Sequence, residues 1–377
     1  MTSVADIRIP ADLLPADGRF CVGPSIVRQE AVDALAAQAG TYMGTSHRKA
    51  PVKDMVGRLR SGLTDLFSLP DGWEIVLGNG GTTVFWDAAT FGLINERSQH
   101  LVFGEFSSKF ANAVQAAPHL DGAEVIESET GSAPEAKASD VDLYALTHNE
   151  TSTGVATTIR RPAGTTASDG LVAVDATSAA GGLRWDPGEV DCYYFAPQKC
   201  FGSDGGLWIA ACSPAAVERI ESIAASDRWR PASIDLGIAL DNSRKNQTYN
   251  TPALATVFLA VHQIEWFNGN GGLEWAAGRS DSMAEILYGW AEASEFATPY
   301  VTDPALRSSI VGTIDLDDRV DADDVVEACA ANGILDIGGY RKLGRNQLRI
   351  SMFPGVDPAD IQALTGCLDY VVGELAE

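Results

Sequence analysis

A chain of 377 residues, 45% of them hydrophobic and 21% charged, is longer than a single hydrophobic core ordinarily serves, so a large domain and a smaller one are expected. It contains no apolar run near the roughly 20 residues a membrane span requires, and its opening, MTSVADIRIPADLLP, lacks the layout of a secretion leader, so the expected location is the cytoplasm. The net charge of −24 argues against nucleic-acid binding, and six scattered cysteines with neither a C-x-x-C pair nor an H-E-x-x-H run argue against a metal centre.

The spacing predicts a helix over 25–39, capped by Ser25 with Gly40 just beyond it, and a second over 51–68 opened by Pro51. Short apolar runs then alternate with helical stretches: EIVLGNG at 74–80, HLVFG at 100–104, AEVIE at 123–127, DLYALT at 142–147, LVAVDAT at 171–177, CYYFA at 192–196 and GGLWIAA at 205–211. Runs of this length, bounded by turn formers and separated by helices, describe a mostly parallel sheet covered on both faces, which makes the class α/β. A long helix from Thr251-Pro252 leads to a glycine-rich break, Asn268–Gly272, where glycine and asparagine accept the backbone angles of a helix end. Strands near 308–315 and 347–352 and helices near 322–332 and from Pro358 follow, a plausible small α+β domain. The expected division is therefore a large domain over 16–268 and a small one over 269–377, with 1–15 packing on the latter.

Ligands of open α/β sheets bind beyond the carboxyl ends of the strands, so polar residues after apolar runs come first. Gly78-Asn79-Gly80-Gly81-Thr82-Thr83 closes a strand and opens a helix, where free backbone N–H groups and two hydroxyls suit a phosphate. Asp175 ends LVAVD, and Lys199, one of only seven lysines, follows CYYFA in Ala196-Pro197-Gln198-Lys199. His148–Gly154 adds polar groups after DLYALT. Taken singly, each has an ordinary explanation: a capped turn, a capping acid, a snorkelling lysine, a loop. Taken together they match the needs of pyridoxal 5'-phosphate, which requires a lysine amine for its aldehyde, a carboxylate at its ring nitrogen and a cradle for its phosphate. In so acidic a chain, two basic clusters also suggest a locally cationic pocket for an anion: Ser46-His47-Arg48-Lys49, and Tyr340–Arg345 continuing to Arg349.

The order GPS, SHR, GNGGTT, NETSTG, VDATS, APQK and Asn250-Thr251-Pro252 resembles that of the phosphoserine aminotransferases, in the class V branch of the fold type I pyridoxal-phosphate enzymes, from about residue 20 to the end. The resemblance implies a fold type I transferase, a homodimer with shared active sites, and transfer of an amino group between glutamate and 3-phosphohydroxypyruvate in serine biosynthesis, with the phosphohydroxythreonine step of vitamin B6 synthesis as a further substrate. It implies Lys199 as the cofactor-bearing and proton-shuttling amine, Asp175 at the ring nitrogen, Thr151 near the ring hydroxyl and Phe106 over the ring. Gly81, Thr82 and Gln198 would hold the cofactor phosphate, joined by Asn250 and Thr251 of the second subunit. His47 and Arg48 would bind the distal anion of the substrate, Arg349 its α-carboxylate, and Arg341 and Arg345 are further candidates for the distal anion. The chain departs from the family's frequent pattern in carrying Phe106 where tryptophan is common and Tyr340-Arg341 where a His-Arg pair is common. Two alternatives stand beside this one. One is another class V enzyme, either an aminotransferase acting on a different small amino/keto acid pair or a cysteine desulfurase, which needs a mobile, exposed cysteine, whereas Cys329 and Cys367 fall within expected helices; the other is a non-catalytic α/β binding protein, which would hold no pyridoxal phosphate.

Overall fold

The structure, a computed structural model, describes residues 4–376. In chain order it runs α1 (Gln29–Tyr42), α2 (Ala50–Leu66), β1 (Glu74–Asn79), α3 (Thr82–Gly92), β2 (Ser98–Val102), α4 (Glu105–Ala116), β3 (Ala123–Glu127), β4 (Leu143–Thr147), β5 (Asn149–Glu150), β6 (Val155–Ala156), β7 (Leu171–Asp175), β8 (Cys192–Phe195) and β9 (Leu207–Cys212). There follow α5 (Pro214–Ala224), α6 (Leu236–Ser243), α7 (Leu254–Asn270), α8 (Gly272–Ala293), β10 (Ala297–Pro299), β11 (Val311–Leu316), α9 (Ala322–Ala331), β12 (Gln347–Ser351) and α10 (Pro358–Ala376).

Seven strands form the main sheet in the order β1-β9-β8-β7-β4-β2-β3. Neighbours are parallel except at β9, which runs antiparallel to both β1 and β8. That exception has a local cause: β8 and β9 are joined directly by the loop that carries Lys199, with no helix to return the chain to the other edge. Side-chain alternation then builds two cores. Val172, Val174, Tyr193, Phe195 and Ile209 face α2 and α7, while Ala173, Cys192, Tyr194 and Ala210 face α3 and α4. Burial on both faces explains why these strands read as continuous apolar runs. On α2, Val52, Met55, Val56, Leu59, Leu63 and Leu66 repeat at three- and four-residue spacing and are all buried; truncating Leu59 to alanine costs about 2–5 kcal/mol by the usual cavity rule.

A second, three-stranded antiparallel sheet, β10-β11-β12, packs with α9 and α10. Its core takes in Ile314, Leu348, Ile350, Val325 and Leu364, together with Ile7, Ile9 and Phe20 from the start of the chain. Helix α8 joins the two regions, with Ala276 in the core below the main sheet and Met283 and Leu287 in the second core. The glycine-rich break narrows to a turn at Gly271, whose φ of +121° excludes most side chains. The first helix begins later than its spacing predicts, at Gln29, and continues through Gly40 to Tyr42. Ser25 does not cap it: its backbone N–H donates to the Gln198 carbonyl at 2.8 Å, which holds this stretch beside the Lys199 loop. No helix among the described residues is long and apolar enough to cross a membrane.

Candidate active site

A cavity of about 360 Å³ opens at the carboxyl ends of β4, β7 and β8, and Lys199, Asp175, Thr82, Trp86, Phe106 and Thr151 are among the residues that line it. The alternation that builds the sheet decides where Asp175 points. Val174 faces α2 and α7, so the next residue faces α3. There its Oδ2 accepts the indole N–H of Trp86 at 3.0 Å, and its Oδ1 accepts the backbone N–H and the hydroxyl of Thr177 at 2.9 and 2.5 Å. Burial pushes the Asp175 carboxyl upward, and the bonds from Thr177 and Trp86 pull it back.

Lys199 reaches the same cavity from the β8–β9 loop and donates from Nζ to the Val22 carbonyl at 2.5 Å. Gly23 makes that approach possible, because a Cβ there would stand 2.1 Å from Nζ, and its φ is +141°. The lysine keeps some accessible surface where it faces the cavity, yet dense surroundings strip its charge of water. Burial foremost, then the nearby Arg349 guanidinium, lower its pKa to about 8. Close to neutrality, a useful fraction of this amine is therefore unprotonated and nucleophilic.

Helix α3 starts at Thr82 with Gly81 before it and no side chain capping its first turn, which leaves amide donors at the cavity edge. Gly80, with φ of +104°, turns the chain from β1 into that helix. Helix α4 is fastened differently. Glu150, fully buried, accepts the backbone N–H groups of Phe106 and Ser107 at 3.1 and 2.8 Å, so a carboxylate sits at the positive end of the helix and fixes Phe106 against the cavity. Thr151 donates to Ser178 Oγ at 2.9 Å, as does Asn149 Nδ2.

The remaining predicted residues divide into groups. Gln198 and Lys199 are neighbours on the same wall. Arg349, on β12, lies close enough to Lys199 to affect its charge; its NH1 donates to the Thr151 carbonyl at 3.3 Å, and its Nε is buried without a partner. Its guanidinium also covers the Tyr340 ring at 5.1 Å, and Tyr340 in turn meets Phe106 at 6.2 Å. Arg341 is exposed, while Arg345 is bound to Asp315 and stacks on Tyr300. His47, Arg48, Asn250 and Thr251 form a separate cluster: Thr251 pairs with His47 Nδ1 at 3.0 Å, Arg48 bonds to Gln247, and Asn79 Nδ2 donates to the Thr251 carbonyl. None of these four lines the cavity of Lys199 in the same chain. Trp86, Thr177, Ser178 and Lys109 also line the cavity; Trp86 and Lys109 escape a reading based on strand ends because they lie within helices α3 and α4. Cys329 and Cys367 are fully buried in the second core.

Pyridoxal phosphate fits this arrangement on physical grounds. The cavity holds a buried amine, a buried carboxylate held by three donors and an uncapped helix start, and the buried Gln198 Oε1 and Asn149 Oδ1 lack partners beside it. A buried polar atom without a partner costs free energy that a polar ligand would recover.

Fold and site together define a protein of the doubly covered α/β type with a lysine and a buried carboxylate sharing one cavity at the sheet's carboxyl edge. A profile of the aminotransferase class-V family matches residues 22–364. A phosphoserine aminotransferase of Nocardioides sp. is 61% identical over 370 residues, covering 98% of this chain and 99% of that protein. One from Rhodococcus jostii is 58% identical, over 97% and 98% respectively. Among solved structures, a phosphoserine aminotransferase from Cytophaga hutchinsonii superposes with a TM-score of 0.82 at 23% identity, covering 93% of this chain and 97% of that one. An aspartate aminotransferase from Thermus thermophilus reaches 0.79 at 24% identity, over 94% and 99%. At such identities these structures speak for the fold alone. The chain belongs to the aminotransferase class-V family, whose cofactor is pyridoxal 5'-phosphate.

Proposed function

We propose that the protein transfers the amino group of L-glutamate to 3-phosphohydroxypyruvate, giving O-phospho-L-serine and 2-oxoglutarate, in the cytoplasm. The observation that carries the reading is Lys199, a buried amine with a pKa lowered to about 8, sharing one cavity with the buried Asp175. Near-complete coverage of relatives named phosphoserine aminotransferases supports the choice of substrate.

When bound, pyridoxal phosphate supplies an aldehyde for an amine and a ring that accepts electron density from the substrate's α-carbon. The chain supplies the rest. Asp175, held by Trp86 and Thr177, would place negative charge at the ring nitrogen. Thr82, Gly81, the first amides of α3 and Gln198 would hold the cofactor phosphate, Thr151 would sit near the ring hydroxyl and Phe106 over the ring. Lys199, an amine with its pKa lowered to about 8, would hold the cofactor's aldehyde and would serve as the base and acid that moves the substrate's α-proton. Arg349 grips the substrate α-carboxylate through a bidentate pair.

His47, Arg48, Asn250 and Thr251 complete the cavity of a second subunit in a homodimer, where the first two bind the distal phosphate or carboxylate and the last two reach the cofactor phosphate. What supports this is their position together, outside the cavity of their own chain. Arg341, exposed at the edge of the small sheet, is a second source of positive charge for the same anion; Arg345, already paired with Asp315, is a weaker one. A coupled assay comparing phosphorylated with unphosphorylated hydroxypyruvate tests the substrate. A preference for the phosphorylated acid of roughly 10²-fold in kcat/KM is expected from two or so charge-assisted contacts; equal use of both would refute the assignment.

A further inference from the structure

We infer that Trp86 is a positioning residue for the cofactor's ring-nitrogen partner, its indole N–H locking the Asp175 carboxylate in the orientation the ring requires. The inference rests on the proposed role of Asp175. Trp86 lies four residues after Thr82 on α3, one helical turn along the same face, and both line the cavity. One short helix thus presents its open amides at its start and delivers an indole to the strand end a turn later. The carboxylate has no freedom left: Oδ2 accepts Trp86 Nε1 at 3.0 Å, and Oδ1 accepts two donors from Thr177. Rotation about the last side-chain bond would break all three.

An indole is a donor only, and in a buried position it needs an acceptor. Phe85, the preceding residue, shows what a purely packing role looks like on this helix, since it stacks on Tyr194 at 4.3 Å and serves the core without touching the cavity. Trp86 is equally buried, yet it aims its one polar atom at the one carboxylate that lines the cavity.

A double-mutant cycle on pyridoxal-phosphate affinity, using Trp86→Phe and Asp175→Asn in the full-length protein, separates orientation from packing. In the otherwise natural protein, Trp86→Phe is expected to weaken cofactor binding about tenfold, the scale of one hydrogen bond to a charged group. The visible absorbance of the bound cofactor should then vary with pH over a range where the natural protein's is constant. In the Asp175→Asn background the same change should cost little. Trp86→His, which retains a ring N–H, should recover part of the loss, and it serves as the test variant if the phenylalanine protein does not fold. Equal losses in both backgrounds would reduce Trp86 to a packing residue and overturn the inference. An Asp175→Asn protein with natural affinity and spectrum would instead overturn the role of Asp175 itself, a distinct outcome.

Discussion

Asp175 ends β7 between two fully buried residues and Lys199 follows β8 beside the buried Cys200, whereas His47, Arg48, Asn250 and Thr251 sit on loops at or near the surface. The first pair is held by the core: moving either would require a shift in a packed sheet, where interiors are as dense as organic crystals. The second group is held by a few side-chain bonds, among them Arg48 to Gln247 and Thr251 to His47. The contrast separates two tasks. The amine and carboxylate are preorganised within one chain, while on the proposed reading recognition of the distal anion falls to loop residues of a second subunit.

Substitutions on each side of that divide sharpen it. The largest effect is expected for Lys199→Ala, which should lose the visible absorbance of bound cofactor and reduce turnover by roughly 10³-fold or more, as removal of an essential acid–base group does; a coloured, active variant would contradict the role of this amine. Arg349→Gln should keep the cofactor but lower kcat/KM for both glutamate and the keto acid roughly 10- to 100-fold, since both carry an α-carboxylate. Arg48→Gln should raise KM for the phosphorylated acid about tenfold and leave the cofactor spectrum unchanged. Mixing Lys199→Ala subunits with Arg48→Gln subunits then tests where Arg48 acts. If it serves the neighbouring cavity, each mixed dimer contains one intact site and the natural KM reappears; if it serves its own chain, no intact site forms.

A last effect, absent at neutral pH, concerns the frame rather than the site. Burial lowers the pKa of both His100 and His148 to about 3. In the unfolded chain each takes up a proton near 6.5, while in the folded chain each stays neutral, so stability is full above about 6.5 and declines as pH falls toward 3. Each contributes a slope of about 1.4 kcal/mol per pH unit in that window. Urea unfolding of His148→Gln should show a shallower loss on acidification than the natural protein, with no change in the pH dependence of cofactor binding.

Period and punctuation alone made most of the sheet legible. LVAVD and CYYFA are buried on both faces, so their apolar runs are uninterrupted, and the polar residues that end them, Asp175 and, just beyond, Lys199, stand out against that background. Gly80-Gly81-Thr82 was legible for a similar reason, because a turn into a helix leaves a distinctive local pattern. Trp86 and Glu150 were not. A tryptophan four residues into a helix reads as core, and it is core; its second role exists only because the alternation of β7 turns Asp175 toward α3. Glu150 reads as a loop acid, yet it fastens the start of α4, a helix more than 40 residues earlier. The start of α1 also differed, since the bond from Ser25 to Gln198 overrides a local capping preference.

What the chain's letters determined by themselves was the set of elements and the chemical kinds of group at their ends, because burial and turn geometry act on neighbours in sequence. What only the folded molecule decided was which of those groups meet. The antiparallel β9, the pairing of Trp86 with Asp175, the nearness of Arg349 to Lys199 and the separation of His47 and Arg48 from that cavity all depend on contacts between residues far apart in the chain. Such contacts are set by how faces pack, and no local pattern records them.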